Sequence, residues 1–242
     1  MTIASPAKFL ILAALLALTF TSGAHATSND WQACRDAAAR LEKQHGLPEG
    51  MVTSIALVES GRRSPDGTHQ AWPWTINAEG RAYYFATRQE AVDAVRRLLA
   101  QGKRTIDVGC MQINLRFHPR AFTSVEEAFD PMSNVAYAAY FLRDLESRSD
   151  SWMQAIGRYH SFSPSLNARY TARVQAVWKR EQVAATNRVA TATPITPTQT
   201  AAESGLRLSS FTEDTIPVSQ RFTPPALSTS SFISASADNL AR

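Results

Sequence analysis

Helix-start signals recur between residues 30 and 165, and they constrain the fold of this chain more than any other feature. At each signal, a side chain that can accept the first backbone N–H groups of a helix precedes apolar residues at helical spacing. The signals are Asp30, the capping boxes Thr87–Glu90 and Ser124–Glu127, the pair Asp130-Pro131, and Ser151. Together with Pro48 and Ser165 they predict helices over about 31–44, 48–60, 88–101, 131–147, 151–158 and 165–182, and a short one after Ser124. We therefore expect a mainly α domain.

One segment, residues 74–85, has strand rather than helix character. Trp74–Asn77 and Ala82–Phe85 are rich in aromatic and β-branched residues, and they flank a turn that contains Gly80. Two such runs around a glycine-containing turn predict a small β-hairpin.

The first 26 residues have the three parts of an export signal. Lys8 gives a positive start, residues 9–20 are apolar, and Ala24-His25-Ala26 is a small-x-small cleavage site. The apolar run is shorter than the roughly 18–20 residues that cross a bilayer. We expect a cleaved signal peptide over 1–26, no later membrane span and a periplasmic protein; an uncleaved anchor is the alternative.

The composition changes once, at about residue 184. From there to Arg242 the chain is rich in Ala, Thr, Ser and Pro. Such a segment buries too little apolar surface to offset the entropy lost on ordering it. We expect a disordered tail over 184–242, which leaves 27–183 as one domain with a core of its own.

Charge and cysteine content narrow the class of protein only slightly. A net charge of +4 suits an anionic polymer as partner, whether cell wall, nucleic acid or anionic lipid. In an oxidising compartment the two cysteines, Cys34 and Cys110, favour a disulfide, with two separate buried thiols as the alternative.

Glu59 is the residue whose position most needs an explanation. Val52, Ile55 and Ala56 form an apolar stripe on the second helix, and Glu59 falls on the same side in the last turn. Burial and the negative end of the helix dipole would both raise the pKa of this carboxyl group. A carboxylic acid that keeps its proton near neutral pH suits general acid catalysis of glycoside cleavage. The alternative is that Glu59 turns outward at the helix end or pairs with a nearby arginine.

Three short motifs resemble those of the lytic transglycosylases that have a goose-lysozyme-like domain. The motifs are Ile55–Gly61, which holds a Glu-Ser pair, Asp107–Asn114, which is similar to Gly-Leu-Met-Gln-Ile, and Ala155–Ser161, which is similar to Ala-Tyr-Asn. They occur in the family's order and at similar separations. The resemblance implies an α+β, lysozyme-like fold, with the hairpin beside a glycan-binding groove, and peptidoglycan glycan strands as substrate.

The same resemblance implies a mechanism that uses one carboxyl group. Glu59 would protonate the oxygen between N-acetylmuramic acid and N-acetylglucosamine, and would then act as base while the C6 hydroxyl closes a 1,6-anhydro ring. Asp66, Glu79 and Asp107 are the acidic residues that could approach Glu59, and Asp107 begins the second motif. It would favour a hydrolase if it faced Glu59 across a water. Its alternative role is a turn former or an acceptor of N–H groups.

The resemblance also implies which side chains contact the glycan. Tyr159 should donate a hydrogen bond to Glu59, whereas its ordinary role at helical spacing is in the core. Trp74 and Tyr83 offer flat faces for sugar rings, although hairpin aromatics often pack on each other. The predicted substrate-binding residues are Ser60, Gly109, Met111, Gln112, Asn114, Tyr159, His160, Trp74 and Tyr83.

Two residues and one segment depart from the family pattern. His160 replaces the usual Asn, and Cys110 replaces Leu, which implies that Cys34 ties this motif to the first helix. Residues 72–85 resemble an insertion in small periplasmic members associated with secretion systems or flagella. The tail would then dock on such a component, or it would be an unstructured remnant.

Two other functions stay open at this point. A lysozyme would cut the same bond with water as the acceptor, and a non-catalytic assembly factor would only bind glycan. An intact Glu-Ser pair argues against the second. We expect no metal, cofactor or nucleic acid, because no metal-ligand spacing or glycine-rich phosphate loop is present in the sequence.

Overall fold

The computed structural model describes residues 28–191. The predicted signal peptide and most of the predicted tail lie outside these residues. The elements are α1 (Ser28–His45), α2 (Met51–Ser60), β1 (Gly61–Arg63), β2 (His69–Ala71), β3 (Thr75–Ala78), β4 (Arg81–Tyr84), α3 (Arg88–Ala100), β5 (Ile106–Val108), β6 (Ile113–Asn114), α4 (Val125–Ala128), α5 (Pro131–Glu146), α6 (Trp152–His160) and α7 (Pro164–Thr191). The mainly α, lysozyme-like fold class is confirmed.

Side-chain caps begin four of the helices where the sequence predicts them. In each case the capping oxygen accepts a hydrogen bond from the backbone N–H three residues later. The caps are Thr87 for α3, Ser124 for α4, Asp130 for α5 and Ser151 for α6.

The start of α2 differs from the prediction, because the helix begins at Met51 rather than at Pro48. Gly50 precedes it with a φ of 75°, a left-handed conformation that glycine adopts without strain. Glu42 of α1 supplies the cap, accepting hydrogen bonds from the backbone N–H groups of Gly50 at 2.8 Å and Thr53 at 2.9 Å. The buried carboxyl group of Glu42 therefore anchors the helix that carries Glu59 at its other end.

The predicted hairpin is confirmed as β3 and β4, and it forms half of a sheet. Glu79 and Gly80 both have positive φ, which matches the right-handed twist of a two-residue hairpin turn. The four strands are antiparallel in the order β4-β3-β5-β6, and β1 pairs with β2 as a separate hairpin. Strands of two or three residues, such as β5 and β6, are too short to show alternation in the sequence.

Two apolar clusters form the core, and the second motif contributes residues to both. The larger lies among α1, α2, α5, α6 and α7, and the smaller lies between the four-stranded sheet and α3. The Cys34–Cys110 disulfide is confirmed, with a Cα–Cα distance of 5.6 Å. It links α1 to the loop between β5 and β6 and so fixes that loop against the helical core.

Helix α7 continues to Thr191, beyond the end predicted at about Gln182. Residues 183–191 hold no proline or glycine, and the first proline in this direction is Pro194. The prediction was wrong here because an Ala- and Thr-containing segment can continue a helix that is already formed. Glu181, near the predicted end, forms an ion pair with Arg35 of α1 at 2.6 Å. Among residues 28–191, no helix is long and apolar enough to cross a membrane.

Candidate active site

Glu59 lies in the last turn of α2 with part of its surface still exposed. The stripe residues Val52, Ile55 and Ala56 are buried, as the helical spacing predicts. The hydroxyl of Tyr170 on α7 donates a hydrogen bond of 2.5 Å to Glu59 Oε1. The carboxyl group is thus held between two helices at the edge of the core.

The surroundings of Glu59 raise its pKa to about 7. Burial is the largest cause, because it disfavours the charged form. The hydrogen bond from Tyr170 opposes it, the negative charge of Asp107 adds to it, and the positive charge of Arg173 opposes it. Near neutral pH the group is present in both forms, so it can give a proton in one step and take one in the next.

Tyr170 is the functional side chain that the sequence motifs missed. It is 3% exposed, and burial raises its pKa well above the usual range, so its hydroxyl stays a neutral donor. His160 stacks on its ring with the centroids 4.4 Å apart and the planes nearly parallel. The signal in the sequence was a tyrosine on the inner face of the last helix with Val174 and Val177, a pattern that by itself indicates only core packing.

The predicted hydrogen bond from Tyr159 to Glu59 is wrong. Tyr159, on α6, donates instead to the backbone carbonyl of Met111 at 2.8 Å. Tyr170 takes the expected place because α7 packs directly on α2, whereas α6 reaches the loop between β5 and β6. Tyr159 therefore positions the second motif.

The loop between β5 and β6 has two residues with positive φ, Gly109 at 80° and Gln112 at 48°. A Cβ atom at Gly109 would come within 2.5 Å of the Asn134 side chain, so only glycine fits there. The fully buried Asn134 accepts a hydrogen bond from Met111 N at 2.9 Å and donates to Val108 O at 3.0 Å. The loop is therefore held in its strained shape by a side chain outside the three motifs.

The structure does not present Ser60 and Met111 to a groove, contrary to the prediction. Ser60 is 1% exposed, and its hydroxyl donates to Cys110 O at 2.8 Å and to Ala56 O at 3.2 Å. Met111 is fully buried in the larger core cluster. Both residues join the end of α2 to the second motif.

Asn114 forms hydrogen bonds within the protein and is partly exposed, and its predicted contact with the glycan stays a prediction. Its amide nitrogen donates to Asp107 Oδ1 at 2.6 Å, and its oxygen accepts from the backbone N–H groups of Arg116 and Phe117. The side chain therefore closes the turn after β6.

Gln112 retains one group for a ligand. Its amide nitrogen donates to Thr75 O at 3.2 Å and to Gly109 O at 3.0 Å, and the side chain is partly exposed. An amide nitrogen engaged by two carbonyls leaves the side-chain oxygen as an acceptor. A sugar hydroxyl or an acetamido N–H could donate a hydrogen bond to this oxygen.

Asp107 is a second carboxyl group close enough to act on Glu59. Burial raises its pKa to about 6, and the hydrogen bond from Asn114 opposes this. Its charge in turn raises the pKa of Glu59. Asp107 lies within β5 opposite Asn77 and Asn114, so it is not a turn former. It does accept an N–H group, that of the Asn114 side chain, as the other alternative role predicted.

The aromatic residues differ in their access to solvent. Trp74 is 6% exposed in the smaller core cluster, so its predicted stacking face is not available to a sugar. Tyr83 is partly exposed, with the Arg81 guanidinium 5.6 Å from its ring centre. His160 is exposed at the end of α6. Among the described residues, no group of three or more His, Cys, Asp or Glu side chains is arranged to hold a metal ion.

A mainly α fold with a small sheet, and with one partly buried acid of raised pKa at the end of an apolar helix, defines a lysozyme-like domain. The family model of the transglycosylase SLT domain matches residues 36–168, more than half of the chain. The chain therefore belongs to the transglycosylase SLT family, whose members are lytic transglycosylases, lyases that cleave peptidoglycan. Comparison with curated proteins and with solved structures gave no match.

Proposed function

We propose that the chain cleaves the β-1,4 bond between N-acetylmuramic acid and N-acetylglucosamine and leaves 1,6-anhydromuramoyl ends, with Glu59 as the catalytic residue. The observation that carries the proposal is the pKa of about 7 at Glu59, in a carboxyl group oriented by Tyr170. Membership of the transglycosylase SLT family supports it.

In the first step, protonated Glu59 gives its proton to the bridging oxygen as the glycosidic bond breaks. The electrons of that bond leave with the N-acetylglucosamine side, and the substrate's own N-acetyl group stabilises the cationic centre on the muramoyl side. Tyr170 bonds to one carboxyl oxygen, Oε1, so the other oxygen is left to carry the proton.

In the second step, the Glu59 carboxylate takes the proton of the muramoyl C6 hydroxyl. The C6 oxygen bonds to the anomeric carbon and closes the anhydro ring, and Glu59 is again protonated for the next cycle. One carboxyl group thus performs both transfers, which requires a pKa near the working pH. Gln112, through its unoccupied amide oxygen, would orient the sugar.

A lysozyme-type hydrolase is the second candidate, and Asp107 favours it. Two carboxyl groups that flank a bond can direct a water molecule to the anomeric carbon. Asp107 acts electrostatically on Glu59, and with a pKa of about 6 it is mainly ionised at neutral pH.

The test is a digest of purified peptidoglycan by the mature protein, by Glu59→Gln and by Asp107→Asn, with products identified by mass spectrometry. We expect anhydro-muramoyl ends from the wild type, still present with Asp107→Asn, and a rate loss of about 10²–10⁴-fold for Glu59→Gln. Reducing ends that disappear with Asp107→Asn would establish the hydrolase. If even the wild type gave no products, a glycan-binding assembly role would replace both proposals.

We further propose that the protein acts in the periplasm, on local remodelling of the wall. The Cys34–Cys110 disulfide supports an oxidising compartment, and residues 1–26 have the composition of a signal peptide. N-terminal sequencing of the exported protein should find Thr27 as the first residue. Recruitment to a secretion system or flagellum through residues 192–242 is tested by deleting them and comparing localisation with wall cleavage in vitro.

A further inference from the structure

Arg173 is a cation one helical turn beyond the tyrosine that holds the catalytic acid. It follows Tyr170 by three residues on α7, so the two side chains are neighbours on the helix surface. Its side chain is exposed, and among residues 28–191 no carboxylate lies within ion-pair distance of it. Exposed arginines are common on this surface, so its location is what sets Arg173 apart.

Arg173 influences each group at the catalytic end of α7. Its positive charge lowers the pKa of Glu59, of His160 and of Tyr170, which requires all three to lie within electrostatic reach. His160 is exposed beside it and stacks on Tyr170. Arg173 is therefore an exposed cation next to Tyr170 on α7 and within electrostatic reach of the acid that Tyr170 holds.

The charge of Arg173 opposes the function of Glu59 as an acid. A nearby cation stabilises the carboxylate and so weakens its hold on the proton. Yet the two side chains form no ion pair, so Arg173 does not orient the acid directly. A guanidinium that remains available beside the acid is suited to a negative group on the substrate.

Peptidoglycan carries negative groups on its muramoyl residues. The lactyl substituent ends in a carboxylate when no peptide is attached, and the stem peptide carries carboxylates of its own when one is present. Guanidinium binds a carboxylate through two parallel N–H bonds. We propose that Arg173 binds a carboxylate of the muramoyl residue or its stem peptide, so that the site selects peptidoglycan over neutral glycans. This inference rests on the proposed function.

The experiment measures binding in a protein that cannot turn over its substrate. Isothermal titration compares Glu59→Gln with the double variants that add Arg173→Gln or Arg180→Gln. Arg180 is exposed on the same helix, about 10 Å further along, so its variant removes an equal charge away from the acid. The probes are soluble strands with stem peptides, the same strands freed of peptides by an amidase, and a neutral N-acetylglucosamine hexamer.

We expect Arg173→Gln to raise the Kd for at least one carboxylate-bearing probe about 10-fold, as for a lost charge-assisted hydrogen bond. The hexamer should change less than about 2-fold, and Arg180→Gln should have little effect on any probe. A loss on strands that retain their peptides places the carboxylate in the peptide, whereas a loss confined to the freed strands places it on the lactyl group. Arg173→Lys should recover only part of the affinity, because it keeps the charge but loses the paired N–H groups.

Three results would overturn the inference: no change with Arg173→Gln, an equal loss on the neutral hexamer, or an equal loss with Arg180→Gln. The second would mean that Arg173 only supports the groove, and the third that it contributes general attraction to an anionic polymer. If Glu59→Gln bound none of the probes, the proposed function would fail and this inference with it. If Glu59→Gln binds the probes and the added Arg173→Gln leaves the Kd unchanged, only this inference fails and the proposed function stands.

Discussion

Replacing Tyr170 with Phe should raise the pKa of Glu59 while it slows catalysis. The Tyr170 hydroxyl donates to Glu59 Oε1 at 2.5 Å, and this bond favours the carboxylate. A hydrogen bond to a charged group contributes about 1.5–3 kcal/mol, and one pKa unit corresponds to about 1.4 kcal/mol. Glu59 keeps some solvent exposure, so water can replace part of the lost bond. We therefore expect an upward shift of about one pKa unit.

The sign of this shift can be read from the alkaline limb of the pH–rate profile. Glu59 must be protonated to release the leaving group, so the rate falls as pH rises through its pKa, which is about 7 in the wild type. In Tyr170→Phe this limb should move up by about one pH unit. The maximal rate should fall roughly 10-fold, because the carboxyl group is less well oriented and the lost bond corresponds to at least about 1.4 kcal/mol. Clearing of a peptidoglycan suspension, measured across pH, gives both quantities.

Tyr159→Phe is the matched control, since it removes a hydroxyl from a partly buried tyrosine near the same site. That hydroxyl donates to Met111 O, so its loss should leave the alkaline limb in place, whatever it does to the rate. An unshifted or lowered limb in Tyr170→Phe would refute the role of Tyr170, and an equal shift in Tyr159→Phe would show that the effect is not specific to the Glu59 bond.

Three other predictions concern stability. Glu59 has a folded pKa of about 7, above its ordinary 4.5, so its contribution to stability is complete below pH 4.5 and is lost as pH rises through 7. Glu59→Gln should therefore be more stable than the wild type above pH 7, by up to about 3 kcal/mol in urea unfolding. If this difference in free energy of unfolding did not shrink toward pH 4.5, the raised pKa of Glu59 would be contradicted. Reduction of Cys34–Cys110 should lower the free energy of unfolding by roughly 2–5 kcal/mol, and an unchanged midpoint after verified reduction would argue against a stabilising bridge. Asn134→Ala should lower the free energy of unfolding by about 2–4 kcal/mol and also reduce wall cleavage, because buried backbone groups of the second motif lose their hydrogen-bond partners. Full activity in the folded variant would show that the loop keeps its shape without Asn134.

The sequence predicted those parts of the fold that depend on neighbouring residues. Caps at Thr87, Ser124 and Asp130 are local, and so is the hairpin turn at Gly80. The end of α7 was missed because a change of composition marks the end of a core and need not mark the end of a helix. The short strand β6 was missed because two residues show no alternation.

The same distinction applies to the candidate active site: features set by neighbouring residues could be predicted, and features set by helix packing could not. The direction of the pKa shift at Glu59 could be predicted from its place on the apolar stripe of its own helix, because burial is the largest cause of the shift. Tyr170 could not be assigned in the same way, because which tyrosine reaches the acid depends on how α7 crosses α2, and helical periodicity defines a face without naming its partner. Two tyrosines, Tyr159 and Tyr170, were both on inner faces, and only the packing of the helices distinguishes their roles.

The residues whose predicted roles changed most, Ser60, Met111 and Tyr159, either belong to the loop of the second motif or bond to it, and the geometry of that loop explains why. Gln112 is a non-glycine residue with positive φ, which strains this loop, so the surrounding structure must hold it in place. Ser60, Tyr159 and Asn134 do so through hydrogen bonds to its backbone. The hydroxyl of Ser60 thus joins the acid's own helix to the loop that orients Gln112. A motif residue at such a site can either contact the glycan or fix the distance between the acid and the groove. The hydrogen bonds of Ser60 and Tyr159 to the loop backbone assign these two residues to the second role.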